Sequence, residues 1–311
     1  MCQMQNGEHS PEDIYRFRLL VEERLAGLVP PPDQAPAALH QSMRHSLLAP
    51  GKRVRALLVI LAAKHFGGSE EQALSSACAV EMVHAASLIL DDLPAMDNAT
   101  LRRGLPANHR VFGEATAILA AIALMNRAFG VIAEDAGLSG PARVRLVDIL
   151  SRAIGSEGLV AGQEADLKWT PIAATRKDVE LVHTRKTAAL FSASTEMGAV
   201  AAGSYGGEAQ RMRDFGTRLG LAFQVLDDLI DVLAARERAG KDVGQDAGKP
   251  SMVLTVGLEE AQREARWHID GATALVAHDN GAPGVLGDFA LSLMTNLQNS
   301  VNSHGIGTLA R

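Results

Sequence analysis

The sequence predicts an all-α protein, built as a single large helical bundle, and two observations support this fold class. The first is a set of helix-start signals that recur along the chain. They are Ser10-Pro11 before two acidic residues, Ser69 with Gln72, and Thr175 with Asp178. The second is that no stretch alternates apolar and polar residues in the way that marks a strand. We therefore expect one domain over residues 1–311 with roughly ten helices.

The helices can be placed in order from these signals and from the Pro and Gly breaks. A first helix should run from residue 11 to about residue 28, because the three prolines at residues 30–32 end it. An apolar helix should follow Lys52, and a long one should run from Ser69 to near Asp92. A further helix should follow Thr175, and another should contain LAFQVLDDLIDV, residues 221–232. Several are apolar on most faces, so we expect them at the centre of the bundle.

Composition and charge restrict the class of protein. Apolar residues make up 47% and charged residues 21% of the chain, as in globular proteins. The net charge of −6 argues against nucleic-acid binding, which requires a basic face. Cys2 and Cys78 are too few for a disulfide framework, no signal sequence is evident, and the longest apolar run, Ala115–Met125, is about half of a membrane span. We expect a soluble, reduced, cytoplasmic protein without a transmembrane segment.

Paired acidic and paired basic residues crowd the stretch LILDDLPAMDNATLRRG, residues 88–104. On an uninterrupted helix, Asp91 and Asp97 would point about 240° apart. Pro94 should end the helix and let Asp97 fold back toward Asp91. Carboxylates at a helix C-terminus, without Cys or a His cluster, favour a hard cation such as Mg²⁺, and the following arginine pair suits phosphate. The alternative is a solvated loop with acidic residues at a helix end.

The stretch LAFQVLDDLIDV carries a second acidic group. Asp227 and Asp231 are four residues apart and share a helical face, with Gln224 on the same stripe. Together with the neighbouring Asp228, they place three acids in an otherwise apolar helix. These acids would repel one another without a counter-cation. The alternative is an exposed polar stripe on a surface helix.

Basic residues form three further groups that suit phosphate. Lys52 and Arg55 are three residues apart at the start of an apolar helix, so they should share a face. Lys186 precedes Thr187 within another apolar helix. Lys241 opens a Gly-rich loop that is not a Walker loop, because its glycine spacing is too short and it follows no predicted strand.

Two Glu-x-x-His pairs raise a competing hypothesis from another functional class. Glu81 with His84, and Glu180 with His183, have the spacing found in di-iron carboxylate bundles. That site also needs one further Glu from each of two other helices, and no candidate stands out. The di-iron hypothesis also leaves the aspartate groups and the arginine pair unexplained.

Taken together, DDLPAMD, LRRG, KT and FQVLDDLID resemble the motifs of the trans-isoprenyl diphosphate synthases. APGKRVR and SLILDDLPAMDNATLRRG are most similar to the bacterial carotenoid-pathway geranylgeranyl diphosphate synthases. The resemblance implies a helical fold of the isoprenoid synthase type around a deep central cavity, usually in a homodimer. It also implies a Mg²⁺-dependent prenyltransferase, in which Mn²⁺ can substitute. Such an enzyme condenses isopentenyl diphosphate with an allylic diphosphate, namely dimethylallyl, geranyl or farnesyl diphosphate.

The resemblance also assigns roles to residues by their place in these motifs. The metal ligands would be Asp91, Asp92, Asp97, Asp227, Asp228 and Asp231. The allylic diphosphate would be bound by Arg102, Lys186, Thr187, Gln224 and Lys241, and isopentenyl diphosphate by Lys52, Arg55, His84 and Arg103. The catalytic set would be Asp91, Asp92, Asp97, Lys186, Asp227 and Asp228.

Product length in this family depends on the residue five positions before the first aspartate. Here that residue is Ala86, about 7 Å along the helix from Asp91, and its small side chain leaves room for a growing chain. We expect a twenty-carbon product, with a farnesyl diphosphate synthase as the alternative. A class I terpene cyclase would usually have an Asn/Ser/Glu-type second motif in place of DDLID, residues 227–231.

Overall fold

A computed structural model describes residues 11–168, 175–239, 251–278 and 282–303. Within these ranges the regular structure is helical, apart from one antiparallel hairpin of two-residue strands, β1 (Leu101–Arg102) and β2 (Leu105–Pro106). The prediction of an all-α protein is therefore confirmed. The hairpin was not predicted, because strands of two residues are too short to show a period.

The described helices follow one another along the chain. They are α1 (Pro11–Leu28), α2 (Ala37–Leu47), α3 (Val54–His65), α4 (Glu70–Asp91), α5 (Asn108–Phe112), α6 (Glu114–Ala133), α7 (Gly140–Ile154), α8 (Leu159–Leu167), α9 (Arg176–His183), α10 (Ala189–Ala201), α11 (Gly207–Ala239), α12 (Met252–Val256), α13 (Leu258–Val276) and α14 (Gly284–Ser303). A π-helical segment, Thr184–Ala188, joins α9 to α10.

The chain divides into two compact units. Unit 1 comprises Met1–Ser151 with Ser194–Ala209, and unit 2 comprises Arg152–Ala193 with Gln210–Arg311. The single domain and the central cavity stay predictions.

Helix α4 is the central element of unit 1, where it packs against α1, α2, α3 and α6. Most of its residues are buried, which explains why its sequence is apolar on nearly every face. It begins with the predicted capping box, in which the Ser69 side chain accepts from the Gln72 backbone N–H and the Gln72 side chain accepts from the Ser69 backbone N–H. It ends at Asp91, close to the predicted end, so this helix delivers Asp91 and Asp92 to the edge of the unit 1 core.

Helices α4 and α6 both have the length and apolar composition of a membrane span. In α4, 78% of the most apolar 18-residue segment is buried within the protein, as expected for a core helix. The corresponding share in α6 is 39%. The length of uninterrupted apolar runs did not indicate a span-length segment in either helix, because a span tolerates a few polar residues. The absence of a transmembrane segment stays a prediction.

In unit 2, α8 and α9 pack against the π-helical segment, and α12 packs against α9 and α13. Helix α9 begins with the predicted capping box between Thr175 and Asp178. At Gly162 in α8, an added Cβ would lie 2.3 Å from the backbone nitrogen of Lys186, so only glycine permits this close approach. The packing therefore fixes the segment that carries Lys186 and Thr187.

Candidate active site

The acidic stretch after α4 forms a compact turn in unit 1. The backbone N–H of Asp97 donates to the carbonyl oxygen of Asp91 at 2.9 Å, and that of Asn98 donates to Leu93 at 3.0 Å. Asn98 occupies the left-handed region at φ 48°, which Asn tolerates better than most residues. The turn predicted from Pro94 is therefore present, and it brings the chain at Asp97 back beside Asp91.

The β1–β2 hairpin carries the two predicted phosphate-binding arginines. Arg103 and Gly104 form its turn, with φ 54° and 78°. The guanidinium of Arg102 binds the buried carboxylate of Asp92 through two hydrogen bonds to Oδ1, and Nε donates at 2.9 Å. This hydrogen bonding raises the pKa of Arg102, with further contributions from the charges of Asp92, Asp91 and Asp97. Asp92 is thus already bound to Arg102, and its role as a metal ligand stays a prediction.

Residues outside the predicted set anchor this hairpin to α2. The Asn108 side chain donates from Nδ2 to the Ser42 carbonyl at 2.9 Å and to the Ser46 hydroxyl at 2.8 Å, and it accepts from the Ser42 hydroxyl at 2.6 Å. The His45 ring lies 2.9 Å from the carbonyl oxygen of Pro106 in β2. These bonds connect residues more than 60 positions apart, so no local sequence signal could have revealed them.

A small pocket lies in unit 1 between the hairpin, α2 and the end of α4. Its α4 wall includes Ala85, Leu88 and Ile89, and Arg103 lines another side. Ala86 is fully buried and does not line this pocket. The chain-length role of Ala86 stays a prediction.

His84 lies at the centre of a cluster of guanidinium groups. Its Nε2 atom is 3.1 Å from Nη2 of Arg103 and 3.4 Å from Nη1 of Arg55. Guanidinium groups only donate, so Nε2 must accept and the ring is neutral with its proton on Nδ1. Burial and the nearby charges of Arg55 and Arg103 lower the pKa of His84 well below its ordinary value. The structure therefore brings together three of the four residues expected to bind isopentenyl diphosphate.

The basic groups of this cluster are themselves partly desolvated. Burial lowers the pKa of Arg55 to about 10, while the charge of Glu81 opposes this effect. Lys52, the fourth predicted residue, is exposed and lies before α3, which begins at Val54. The prediction that Lys52 and Arg55 share a helical face was therefore wrong for Lys52, because Arg53 adopts a left-handed conformation that starts the helix later.

The second acidic group lies on α11 in unit 2. Asp228 is buried, and its two oxygens accept from the Gln224 side chain at 3.1 Å and from the Met252 backbone at 2.7 Å. The Gln224 amide oxygen also accepts from the Thr187 hydroxyl at 2.6 Å. The structure thus connects Thr187 with Gln224 and Asp228, which were predicted from a different motif. His183 lies 3.4 Å from Asp228, and the motif resemblance assigns it no role.

The charges of this group favour a cation. Burial raises the pKa of both Asp227 and Asp228 to about 6, and the neighbouring carboxylates, including that of Asp231, add to the shift. Within the described residues, no group of three or more His, Cys, Asp or Glu side chains has a metal-ligating arrangement. Mg²⁺ commonly binds through one or two carboxylates together with substrate phosphates. An all-oxygen set of this kind fits Mg²⁺ bound to a diphosphate.

Lys186 is held by a residue that sequence reasoning missed. Its Nζ atom donates to Oδ2 of Asp166 at 2.7 Å, and Asp166 lies on α8, one turn after Gly162. Because π-helical segments often occur at functional sites, the position of Lys186 and Thr187 within one agrees with a role in binding. Lys241 lies outside the described residues, and its predicted role is untested.

The described residues give no support to the di-iron hypothesis. His84 already accepts from two guanidinium groups, and the Glu81 carboxylate lies 3.5 Å from Nη1 of Arg53. His183 is buried beside Asp228, and burial lowers its pKa to about 4.

Comparison with known proteins identifies close relatives. Residues 36–277 match the family model described as Polyprenyl synthetase. The chain is 41% identical over 276 residues to a chloroplastic geranylgeranyl pyrophosphate synthase of Capsicum annuum, covering 84% of this chain and 75% of that protein. It is 42% identical over 262 residues to a geranylgeranyl diphosphate synthase of Pseudescherichia vulneris, covering 84% of each.

Two solved structures show the same fold. An FPP/GFPP synthase from Zymomonas mobilis superposes with a TM-score of 0.79 at 31% identity, covering 91% of this chain and 96% of that one. A geranyltransferase from Helicobacter pylori, complexed with magnesium and isoprenyl diphosphate, superposes with a TM-score of 0.78 at 31% identity, covering 94% and 99%.

Proposed function

This chain belongs to the polyprenyl synthetase family of isoprenyl diphosphate synthases, and we propose that it condenses isopentenyl diphosphate with allylic diphosphates to geranylgeranyl diphosphate. The observation that carries the proposal is the arrangement along α4. A cluster of guanidinium groups surrounds His84, and seven residues further on an acidic turn begins at Asp91. One helix would thus carry groups for a free diphosphate and groups for a metal-bound one.

The first site would bind isopentenyl diphosphate directly. Arg55 and Arg103 offer charged donors that remain after each has donated to His84, because a guanidinium has five N–H groups. Lys52 is exposed at the end of the preceding loop and can add a third cation. The neutral ring of His84 orients the two guanidinium groups toward the diphosphate without adding a charge of its own.

Each unit carries candidate groups for binding the allylic diphosphate with Mg²⁺. In unit 1 the candidate groups are the carboxylates of Asp91 and Asp97 and the guanidinium of Arg102. In unit 2 they are the α11 carboxylates with Lys186, Thr187 and Gln224. When bound, Mg²⁺ would neutralise negative charge on the departing diphosphate, and Mn²⁺ could replace it.

The reaction follows from the placement of charge. Arg102 and Lys186 stabilise the negative charge that develops as the allylic carbon–oxygen bond breaks. Isopentenyl diphosphate, held by its own cations, places its double bond beside the allylic cation, and a new carbon–carbon bond forms. A proton is then lost, which the released diphosphate can accept. Water has to be excluded, because it would convert the cation to an alcohol.

The names of the relatives and the small side chain at Ala86 support a twenty-carbon product. Ala86 is fully buried in α4, two residues before the apolar stretch Leu88–Leu90 that leads to Asp91. A farnesyl diphosphate synthase is the alternative. The motifs that resemble the carotenoid-pathway enzymes support a role in supplying that pathway. The cytoplasm is the location proposed for the enzyme.

A homodimer is the proposed assembly. Helix α6 exposes Ile118, Leu119 and Ile122 on one stripe, at 39%, 56% and 50% of their surface. An exposed apolar stripe on a helix is typical of an interface. Replacing Leu119 with Glu should shift the protein toward a monomer in light scattering, whereas an unchanged mass would contradict this assembly.

One assay tests the proposed activity. The purified protein would be incubated with Mg²⁺, labelled isopentenyl diphosphate and each allylic diphosphate in turn. Linear products ending at twenty carbons support the proposal, and products ending at fifteen carbons support the farnesyl alternative. Cyclic hydrocarbons formed from a single substrate would contradict the assignment.

A further inference from the structure

Two buried charged residues lie behind the guanidinium cluster and have no assigned role. Arg53 is 4% exposed and Glu81 is 2% exposed, and Nη1 of Arg53 lies 3.5 Å from Oε2 of Glu81. A ligand cannot reach side chains so deeply buried. Any contribution to the site must therefore act through the residues that they contact.

Arg53 connects directly to the loop that presents the basic residues. It lies between Lys52 and Arg55 in sequence and adopts a left-handed conformation at φ 50°. Its Nη2 atom donates to the carbonyl oxygen of Ala49 at 2.9 Å, which closes the loop on itself. A non-glycine residue holds this backbone conformation only when its surroundings fix it.

Glu81 contacts the same loop from the other side. Its Oε1 atom accepts from the backbone N–H of Ala56 at 3.4 Å, in the first turn of α3. A carboxylate is stabilising at this end of a helix. Glu81 also lies on α4 one turn before His84, so it connects the start of α3 to the helix that carries the imidazole.

The charge of Glu81 acts on the binding residues as well. It opposes the effect of burial on the pKa of Arg55 and on that of Arg103. Without this carboxylate, the guanidinium groups of Arg53, Arg55 and Arg103 would have less negative charge nearby to offset their repulsion. Arg55 and Arg103 would then move apart in the enzyme without substrate.

We propose that Arg53 and Glu81 are positioning residues for isopentenyl diphosphate: the buried pair fixes the Lys52 loop and keeps Arg55 and Arg103 converged on His84. This inference rests on the proposed function of that cluster. It differs from a purely structural role, because loss of the pair should weaken binding of one substrate selectively.

The central experiment compares two buried glutamates in unit 1. Glu81→Gln keeps the side-chain shape and removes the charge. The matched control is Glu196→Gln, since Glu196 is 3% exposed and accepts from Nη2 of Arg145 at 2.9 Å, away from the site. We expect Glu81→Gln to raise the KM for isopentenyl diphosphate by about tenfold or more, with the KM for farnesyl diphosphate unchanged. The control should lower thermal stability without changing either KM.

A second set of variants covers the case in which Glu81→Gln does not fold. Arg53→Lys keeps the charge but loses the planar guanidinium group whose two Nη atoms contact Ala49 and Glu81. This variant should also raise the KM for isopentenyl diphosphate. The double variant Arg53→Met/Glu81→Met should recover part of the thermal stability, because it removes both buried charges and leaves neither one alone. It should not recover the KM for isopentenyl diphosphate. Recovery of that KM, or an equal change in both KM values, would overturn the inference.

Arg103→Ala separates this inference from the proposed function. If Arg103→Ala leaves the KM for isopentenyl diphosphate unchanged, the cluster is not that binding site and the proposed site is wrong. If it raises that KM while the variants of Arg53 and Glu81 do not, only the positioning role is wrong.

Discussion

Nε2 of His84 accepts a hydrogen bond from Nη2 of Arg103 at 3.1 Å, which fixes the imidazole as neutral. Because burial and the surrounding guanidinium groups lower the pKa of His84 well below 6.5, the folded chain does not take up the proton that the unfolded chain binds. The stability that His84 contributes is therefore complete above pH 6.5 and is lost as the pH falls below it. As the pH is lowered from about 6.5 to about 5, the free energy of unfolding should fall less in His84→Gln than in the wild-type protein. The free energies of unfolding would be measured by denaturant titration at several pH values. An equal decrease with falling pH in both proteins would show that His84 is not buried as a neutral ring.

Gly51 lies against the guanidinium of Arg103. An added Cβ would be 2.9 Å from Nη1, so Gly51→Ala should displace the end of this flexible side chain. We expect a several-fold higher KM for isopentenyl diphosphate with little change in the melting temperature. Gly27→Ala is the matched control, because its Cβ would meet no atom within 4 Å, and this variant should keep wild-type kinetics. A normal KM in Gly51→Ala would show that Arg103 binds equally well from another position.

Gly162 has a different effect, because its neighbours are backbone atoms. A Cβ there would lie 2.3 Å from the nitrogen and 2.7 Å from the Cα of Lys186. Gly162→Ala should therefore destabilise the protein by about 1–3 kcal/mol and lower activity by moving the π-helical segment. Gly140→Ala, with open space around its Cβ, should do neither. Chemical denaturation and steady-state assays would check both, and a stable, active Gly162→Ala enzyme would contradict the close contact.

Asp227 illustrates a conflict between stability and function. Burial, with the charges of Asp231 and Asp228, raises the pKa of its carboxyl group from 3.8 to about 6 on folding. The ionised group thus destabilises the metal-free fold progressively as the pH rises between these values, and fully above pH 6. Asp227→Asn should raise the melting temperature in EDTA at about pH 7.5 more than at about pH 4, while activity falls. Asp288→Asn, at an exposed position, serves as the control.

The size of the side chain at position 86 should set the length of the product. Replacement with Tyr places a large ring at a fully buried position of α4, so growth of the chain should stop earlier, at fifteen carbons. Overpacking should also cost about 1–3 kcal/mol of stability. Chromatography of the dephosphorylated products would measure the change. A retained rate for the first condensation shows that the variant is folded, and an unchanged product would refute the role of Ala86.

Features encoded by neighbouring residues were predicted well. Pro11 and the three prolines at residues 30–32 give the limits of α1, and Pro94 gives the turn that returns Asp97 to Asp91. Features that depend on distant contacts were not predicted. The bond between Lys186 and Asp166 needs α8 to pack against the π-helical segment, and the Arg53–Glu81 pair needs α3 to pack against α4. Side-chain type alone does not reveal such partners.

Continuity of α4 fixes the spacing between the two proposed diphosphate sites. His84 and Asp91 lie seven residues apart on one unbroken helix, an axial distance of about 10 Å. Inserting one residue between them would rotate the acidic turn by about 100° relative to the imidazole, and only insertion of whole turns would restore the alignment. Redesign of this enzyme can therefore change the side chains around Ala86 one at a time, whereas the distance between the two charged groups on α4 can change only in steps of a helical turn.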